Sequence, residues 1–239
     1  MPLGSIIAPT PLARHAARAT VLTLLGTAAF LVIYYPELPW LLPVHFRRGG
    51  IPNGWQYKTM GRVLLPVFIQ ASLALSLGTI AMLLLSRTGT DTSGRTDAPD
   101  VRAASVAAET VLLMALIWVA FQAYAAYALV RMWTTSVGNL GAMYTALELV
   151  GLVLTGIVAV RGHARVGRPL PRPYVADHWR FGQLYKNPDD PALFVPTRDG
   201  SRWTLNFGRP VAAALLAVVL GIGVLGPIAI LILALRYNF

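Results

Sequence analysis

Cysteine is absent from the 239-residue chain, which removes disulfides, thiolate nucleophiles and thiolate-based zinc sites and leaves the redox compartment unmarked. Charge is scarce: Asp, Glu, Lys and Arg make up 13% of the residues. Acidic residues are scarcer still, 10 against 20 Lys and Arg, for a net charge of +10. The signatures HExxH, GxSxG and Walker A are missing, so no catalytic constellation emerges. The four histidines, His15, His45, His163 and His178, are too dispersed for a metal site, and no cofactor is implied. What is present is apolar surface. Hydrophobic residues make up 56% of the chain and its mean hydropathy is +0.59, beyond the range of a soluble domain. The composition is that of an integral membrane protein.

Five runs are long enough to cross a hydrocarbon core that needs about 20 apolar residues: 19–35, 64–86, 106–130, 140–160 and 211–235. The fold class expected is therefore an all-α integral membrane protein of about five transmembrane helices. The first run follows Arg14 and Arg18 as a signal peptide would, but continues through FLVIYY without a clear cleavage site. The organisation read from these runs is an N-terminus at 1–18, a first hairpin at 19–86 enclosing an aromatic loop at 36–62, and a flexible linker at 87–102. A second transmembrane hairpin at 103–160, a basic loop at 161–210 and a last helix at 211–239 follow. Loops on one side carry two, three and nine Lys and Arg, and those on the other four, one and one. Fourteen against six places the N-terminus and the 161–210 loop in the cytoplasm of a bacterial inner membrane and the 36–62 loop outside.

The 36–62 loop contains LPVHFRRGGIPNGWQYK. Its Gly49, Gly50, Pro52, Asn53 and Gly54 are turn formers, interleaved with Trp40, Phe46, Trp55 and Tyr57, which suit the headgroup layer. Composition reads this as a compact interfacial loop, with His45 open to a second role as a ligand or pH-sensitive group. Leu38, Pro39, Pro43, His45, Phe46, Gly50, Pro52, Gly54, Trp55 and Lys58 form an LPxxxPVHFxxxGxPxGWxxK pattern. That pattern resembles the N-terminal domain of unknown function of the SdpI family of bacterial membrane proteins. Asn53 stands where that family often has Asp. A second block, WRFGQLYKNPDDPALFVPTRDGSRWTLNFGRP from Trp179, is similar to a short domain of unknown function found in some of the same proteins. Its marks here include Tyr185, Asn187, Asp190, Gly200, Trp203 and Asn206. The resemblance implies a non-catalytic accessory in peptide-toxin immunity or signal sensing. An external peptide would meet His45, Phe46, Gly50, Pro52, Trp55 and Lys58, and a cytoplasmic regulator or lipid would meet the module holding Asn187, Asp190, Trp203 and Asn206.

Read from its residues, the second block is a small folded unit. NPDDP supplies turns, Asp199-Gly200 is a hairpin signal, and LFVPT and RWTLNF have strand composition. Asp189 and Asp190 beside prolines fit turn chemistry better than a cation site or an acid pair. Arg161, Arg165, Arg168, Arg172 and Arg180 read as an anchor for anionic lipid. Nucleic acid is not implied, since no recognition helix or RNA-binding motif accompanies the charge.

Within the spans, Glu148 lies mid-helix, where a carboxylate should face protein or water and find a partner. Gly141, Tyr144 or Thr145, Glu148, Gly151 and Thr155 recur at spacings of three and four, one small and polar face. That face fits either structural hydrogen bonding or a proton-coupled transporter, the alternative function. Glu109, near a span end, is expected to snorkel. Thr20, Thr23 and Thr27, and Ser72, Ser76 and Thr79, are the expected partners in a polar-lined core. The glycines of GIGVLGP at 221–227 read as close packing and a kink, and an odd number of helices leaves a homo-oligomer open.

Overall fold

A backbone crossing hydrocarbon must satisfy its own hydrogen bonds, so apolar runs of this length are held as helices. The structure, a computed structural model, describes residues 5–47, 50–87, 99–135, 138–221 and 228. After the short strand β1 (Ser5–Ile6) comes α1 (Pro11–Tyr34), then a β-hairpin of β2 (Leu41–Arg47) and β3 (Ile51–Tyr57). One turn of helix, α2 (Met60–Val63), precedes α3 (Leu65–Leu85), and β4 (Ser86–Arg87) pairs with β1. Next come α4 (Pro99–Thr134) and α5 (Ala142–Val166). Two small hairpins follow, β5 (Trp179–Arg180) with β6 (Leu184–Tyr185) and β7 (Phe194–Pro196) with β8 (Trp203–Leu205), before α6 (Pro210–Leu220).

Among the described residues four helices, α1, α3, α4 and α5, are long and apolar enough to cross a membrane. The fifth run is described only as the 11-residue α6 and Ile228; the rest of 211–235, including most of GIGVLGP, lies outside the described residues. The helices overrun the apolar stretches that define them. α1 begins inside the expected N-terminal segment, and α4 extends the 106–130 run at both ends. Lipid sets where apolar residues stop, but a helix stops only where its backbone finds a cap or a breaker. The same reasoning corrects the linker at 87–102: Arg87 belongs to β4 and helix resumes at Pro99, with 88–98 outside the described residues.

The chain divides into two units, one of Met1–Ala13, Gly78–Val111 and Arg161–Phe239, the other of Arg14–Leu77 and Leu112–Val160. In the second unit Leu31, Leu38, Leu42, Val63, Ala126, Val130, Met132 and Trp133 form the apolar core. Its polar centre is Gln70, fully buried, whose Nε2 donates to Thr27 Oγ1 at 3.1 Å and to the Val119 carbonyl at 2.9 Å. Thr20 and Thr27 are buried as expected, though each hydroxyl donates to a carbonyl of its own helix. Ser72 and Thr79 are exposed, so α3 meets its neighbours through Gln70 instead.

The first unit carries the 167–209 module. Its hairpins are joined through Phe207 N–H to the Tyr185 carbonyl at 2.9 Å, and Trp203 Nε1 donates to the Gly167 carbonyl at 2.9 Å. The hairpin expected at Asp199-Gly200 is present, with Phe194 opposite Leu205 and Gly200 at φ 68°.

Candidate functional site

The LPVHF…GW stretch is an antiparallel hairpin rather than an irregular loop. Two prolines and a glycine within the strands argue against strand in sequence, but the ladder accommodates them by shifting register on both sides of His45. A two-stranded ribbon is marginal alone and must be held by what surrounds it. Lys58 holds its base: Nζ donates to the carbonyls of Leu38 at 2.8 Å and Tyr35 at 3.2 Å and lies 4.8 Å from the Tyr35 ring centre. Trp133 holds its flank, with Nε1 donating to the Pro43 carbonyl at 3.1 Å. Gly50, at φ 72°, holds its tip: its carbonyl accepts from Leu140 N–H at 3.2 Å, and a Cβ there would lie 3.0 Å from Leu140 Cβ.

Opposite His45 stands Gly54, and the imidazole lies so close over it that a Cβ would sit 2.8 Å from Cδ2. Leu38 and Leu42 are buried in the core, and Phe46 packs against it. Most of the motif is therefore spent on fixing the hairpin. Its exposed large apolar side chains are Trp40, Leu41, Ile51, Trp55 and Tyr57, and of these Trp55 belongs to the motif. A cavity of about 160 Å³, lined by Tyr124, Tyr127, Arg131, Asn139 and Leu140 among others, lies in the same unit.

The polar face expected on α5 is only partly assembled. Gly151 is buried against Ile117 and Trp118, and Tyr144 meets the Phe121 ring at 5.2 Å. Thr145 and Glu148 are exposed, the reverse of what a carboxylate at that depth should do. α5 packs less than the other spans, with 6% of its most apolar stretch buried, so helical spacing aligned this face while packing engages Tyr144 and Gly151 and leaves Thr145 and Glu148 outside.

Glu109 is the carboxylate that is brought into a site. It is 2% exposed, pairs with Arg165 on α5 and accepts from Thr10 Oγ1 at 2.5 Å. Thr10 also caps α1 by accepting from Ala13 N–H at 3.1 Å. Gly162 packs so tightly on Thr110 that a Cβ would overlap its side chain, which is what lets the α5 backbone come this near. Glu109 therefore does not snorkel, and Arg165 is engaged with it rather than being a pure lipid anchor.

In the module, Asn206 is fully buried and saturated. Its Oδ1 accepts from the N–H groups of Asn187 (3.0 Å) and Gly208 (2.9 Å), while Nδ2 donates to the carbonyls of Asn187 (2.8 Å), Asp190 (3.1 Å) and Ala192 (3.3 Å). Asp190 caps Ala192 N–H at 2.9 Å, pairs with Arg172 at 2.7 Å and accepts from the Tyr185 hydroxyl at 3.1 Å. Burial, with the Asp190 charge alongside, pushes the Tyr185 phenol above its ordinary value. Asp189 N–H donates to Asn187 Oδ1, a turn contact. The hydroxyls of Ser201 and Thr197 hold the Asp199 carboxyl far below the usual carboxylate range. Among the described residues no group of three His, Asp or Glu could hold a metal ion.

Sequence reasoning passed over Gln70, Trp133, the Glu109–Arg165 pair and the hairpin tip at Phe181. Gln70 was visible as a lone amide in an apolar run; the others depend on contacts between distant segments.

Residues 22–69 match the model of a domain of unknown function, DUF1648, and residues 188–212 match that of a family of unknown function, DUF5808. The first match contains the β2–β3 hairpin, and the second contains the β7–β8 hairpin and Asn206 and begins one residue after Asn187. No curated protein and no solved structure matches the chain. What the comparisons give is thus a membrane chain that carries two domains known by their sequences and not by their activity.

Proposed function

We propose that this is a non-catalytic SdpI-like membrane protein of five spans, N-terminus inside, that recognises a peptide outside the cell through the β2–β3 hairpin. One observation supports the reading most: the hairpin is pinned at base, flank and tip, yet it leaves Trp55 and its neighbours outward. A clamped ribbon with an aromatic outer face gives a partner a pre-ordered surface, so little chain entropy is lost on binding. Exposed Tyr57 lies two residues and exposed Ile51 four residues from Trp55, both at the even spacing that lines one side of a strand. The two sequence domains are consistent with an SdpI-like architecture. On this reading the 167–209 module faces the cytoplasm. Transport through Glu148 has less behind it, because that side chain is exposed instead of being enclosed between helices.

The test is peptide susceptibility. A deletion strain should become more sensitive to membrane-active toxic peptides, and Trp55→Ala, expressed at wild-type level, should fail to restore resistance where Glu148→Gln restores it. Unchanged sensitivity across a peptide panel would overturn the proposal, and a defect confined to Glu148→Gln would move the function to α5.

A further inference from the structure

Bulky side chains avoid positive φ, because Cβ then crowds the backbone, and two-residue hairpin turns that need it usually hold Asn or Gly. In the turn between β5 and β6, Gln183 N–H donates to the Arg180 carbonyl at 3.2 Å, and the two central residues are Phe181 at φ 49° and Gly182 at φ 73°. Phe181 is 95% exposed. Nothing in the fold rewards this phenyl ring: it is strained where it sits and covers nothing. Such a residue is explained by something it meets.

Its surroundings say what. Arg180 precedes it and is exposed; Arg198, from the turn between β7 and β8, donates to the Gly182 carbonyl at 3.2 Å and stacks 4.7 Å from the Tyr174 ring centre. Arg202 lines the groove beside Gly182, and Leu184 is an exposed apolar neighbour in β6. The acidic group in that groove, Asp199, is taken up by Ser201 and Thr197 hydroxyls. The tip is therefore an apolar point ringed by guanidinium groups. The segment bearing it is tied at both ends to apolar helices, α5 ending at Val166 and α6 starting at Pro210.

We propose that Phe181 is a membrane finger: the β5–β6 tip seats its phenyl ring in the acyl–headgroup boundary of the bilayer that the helices cross, while Arg180, Arg198 and Arg202 bind anionic phospholipid headgroups. Aromatic insertion and polybasic attraction are each weak, and together they hold a peripheral surface to an anionic leaflet. The spacing of the two hairpins suits this, since Arg198 ties one tip to the other and fixes the cationic ring around the phenyl. The inference rests on the membrane reading alone, so it stands or falls separately from peptide recognition by β2–β3.

The absence of native cysteine allows a direct test on the full-length protein. Phe181→Cys and, as a second site that keeps the two central turn residues Phe181 and Gly182, Gln183→Cys are labelled with an environment-sensitive fluorophore and reconstituted into vesicles of phosphatidylcholine with or without phosphatidylglycerol. Asp189→Cys, at an exposed turn of the same module, is the control. With phosphatidylglycerol the probes at 181 and 183 should shift to the blue and be quenched several-fold more by lipid-borne quenchers than the probe at 189. In phosphatidylcholine alone the shift should be lost. Aqueous emission from both tip probes in the anionic vesicles, as a tip reserved for a soluble protein would give, overturns the proposal; so does insertion that ignores the anionic lipid.

Discussion

Asn206 illustrates how one buried amide can organise a module too small to have much of a core. All its hydrogen-bonding capacity is used, in five hydrogen bonds to four residues, Asn187, Asp190, Ala192 and Gly208, which tie the turns on either side of the β7–β8 hairpin together. Gly208 belongs to the same arrangement, since any Cβ there would collide with the Asn187 backbone. Replacing Asn206 by Ala leaves buried N–H and C=O groups without partners, each costing about 1–3 kcal/mol where water cannot reach them. Asn206→Ala should therefore destabilise the module by about 3 kcal/mol or more, read as faster amide exchange at Asn187 and Gly208 while the helices keep their protection. Unchanged exchange at those two amides would show that the cluster is decorative. The residues were legible: Asn187, Asp190 and Asn206 stand out in the sequence block. Their roles were not, because turn-rich sequence shows which residues are polar but not which of them is enclosed.

At the scale of elements, the α1 cap, α4 and α5 meet at Glu109, and the pair there is lopsided. Glu109 is 2% exposed, whereas the Arg165 side chain is 49% exposed. Removing the carboxylate frees an arginine that can reach water, but removing the arginine strands a buried charge that keeps, among the described residues, the Thr10 hydroxyl. Arg165→Leu should thus cost about 3 kcal/mol or more, and Glu109→Gln noticeably less. The double variant should recover most of the loss, measured as thermal unfolding in a fixed detergent. Equal losses in the two single variants, with no recovery in the double, would mean that the pair contributes through packing and not through charge. Helix existence was readable from apolar runs, since hydrocarbon leaves few alternatives. Helix partners were not: position along the span made Glu148 the carboxylate in need of a partner and Glu109 the one free to snorkel, and packing reverses both, leaving the first exposed and burying the second. The β2–β3 hairpin was hidden for the opposite reason, since its prolines and glycines are turn formers until a register shift seats them in strands.

For the whole molecule, orientation is the property from which both proposals draw their biology, and it rests on loop charge. The nine Lys and Arg of 161–210 dominate the count, and their weight does not depend on how many are paired, since orientation is set as the chain inserts, before Arg165 meets Glu109 or Arg172 meets Asp190. The structure also selects better reporters than sequence alone would. Gly50, central in the sequence motif, is a poor cysteine site, being at positive φ and pressed on Leu140. Asn53 and Asp189 are exposed and outside every clamp described above. A membrane-impermeant maleimide applied to intact cells should label Asn53→Cys and leave Asp189→Cys unlabelled until the membrane is opened. If both label, or neither does, the two segments share a side, and the hairpin loses its claim on an external peptide. The reverse pattern would invert the molecule. Trp55 would then face the cytoplasm and Phe181 the outer leaflet, and the surplus of arginine around Phe181 would be on the side that the positive-inside rule disfavours.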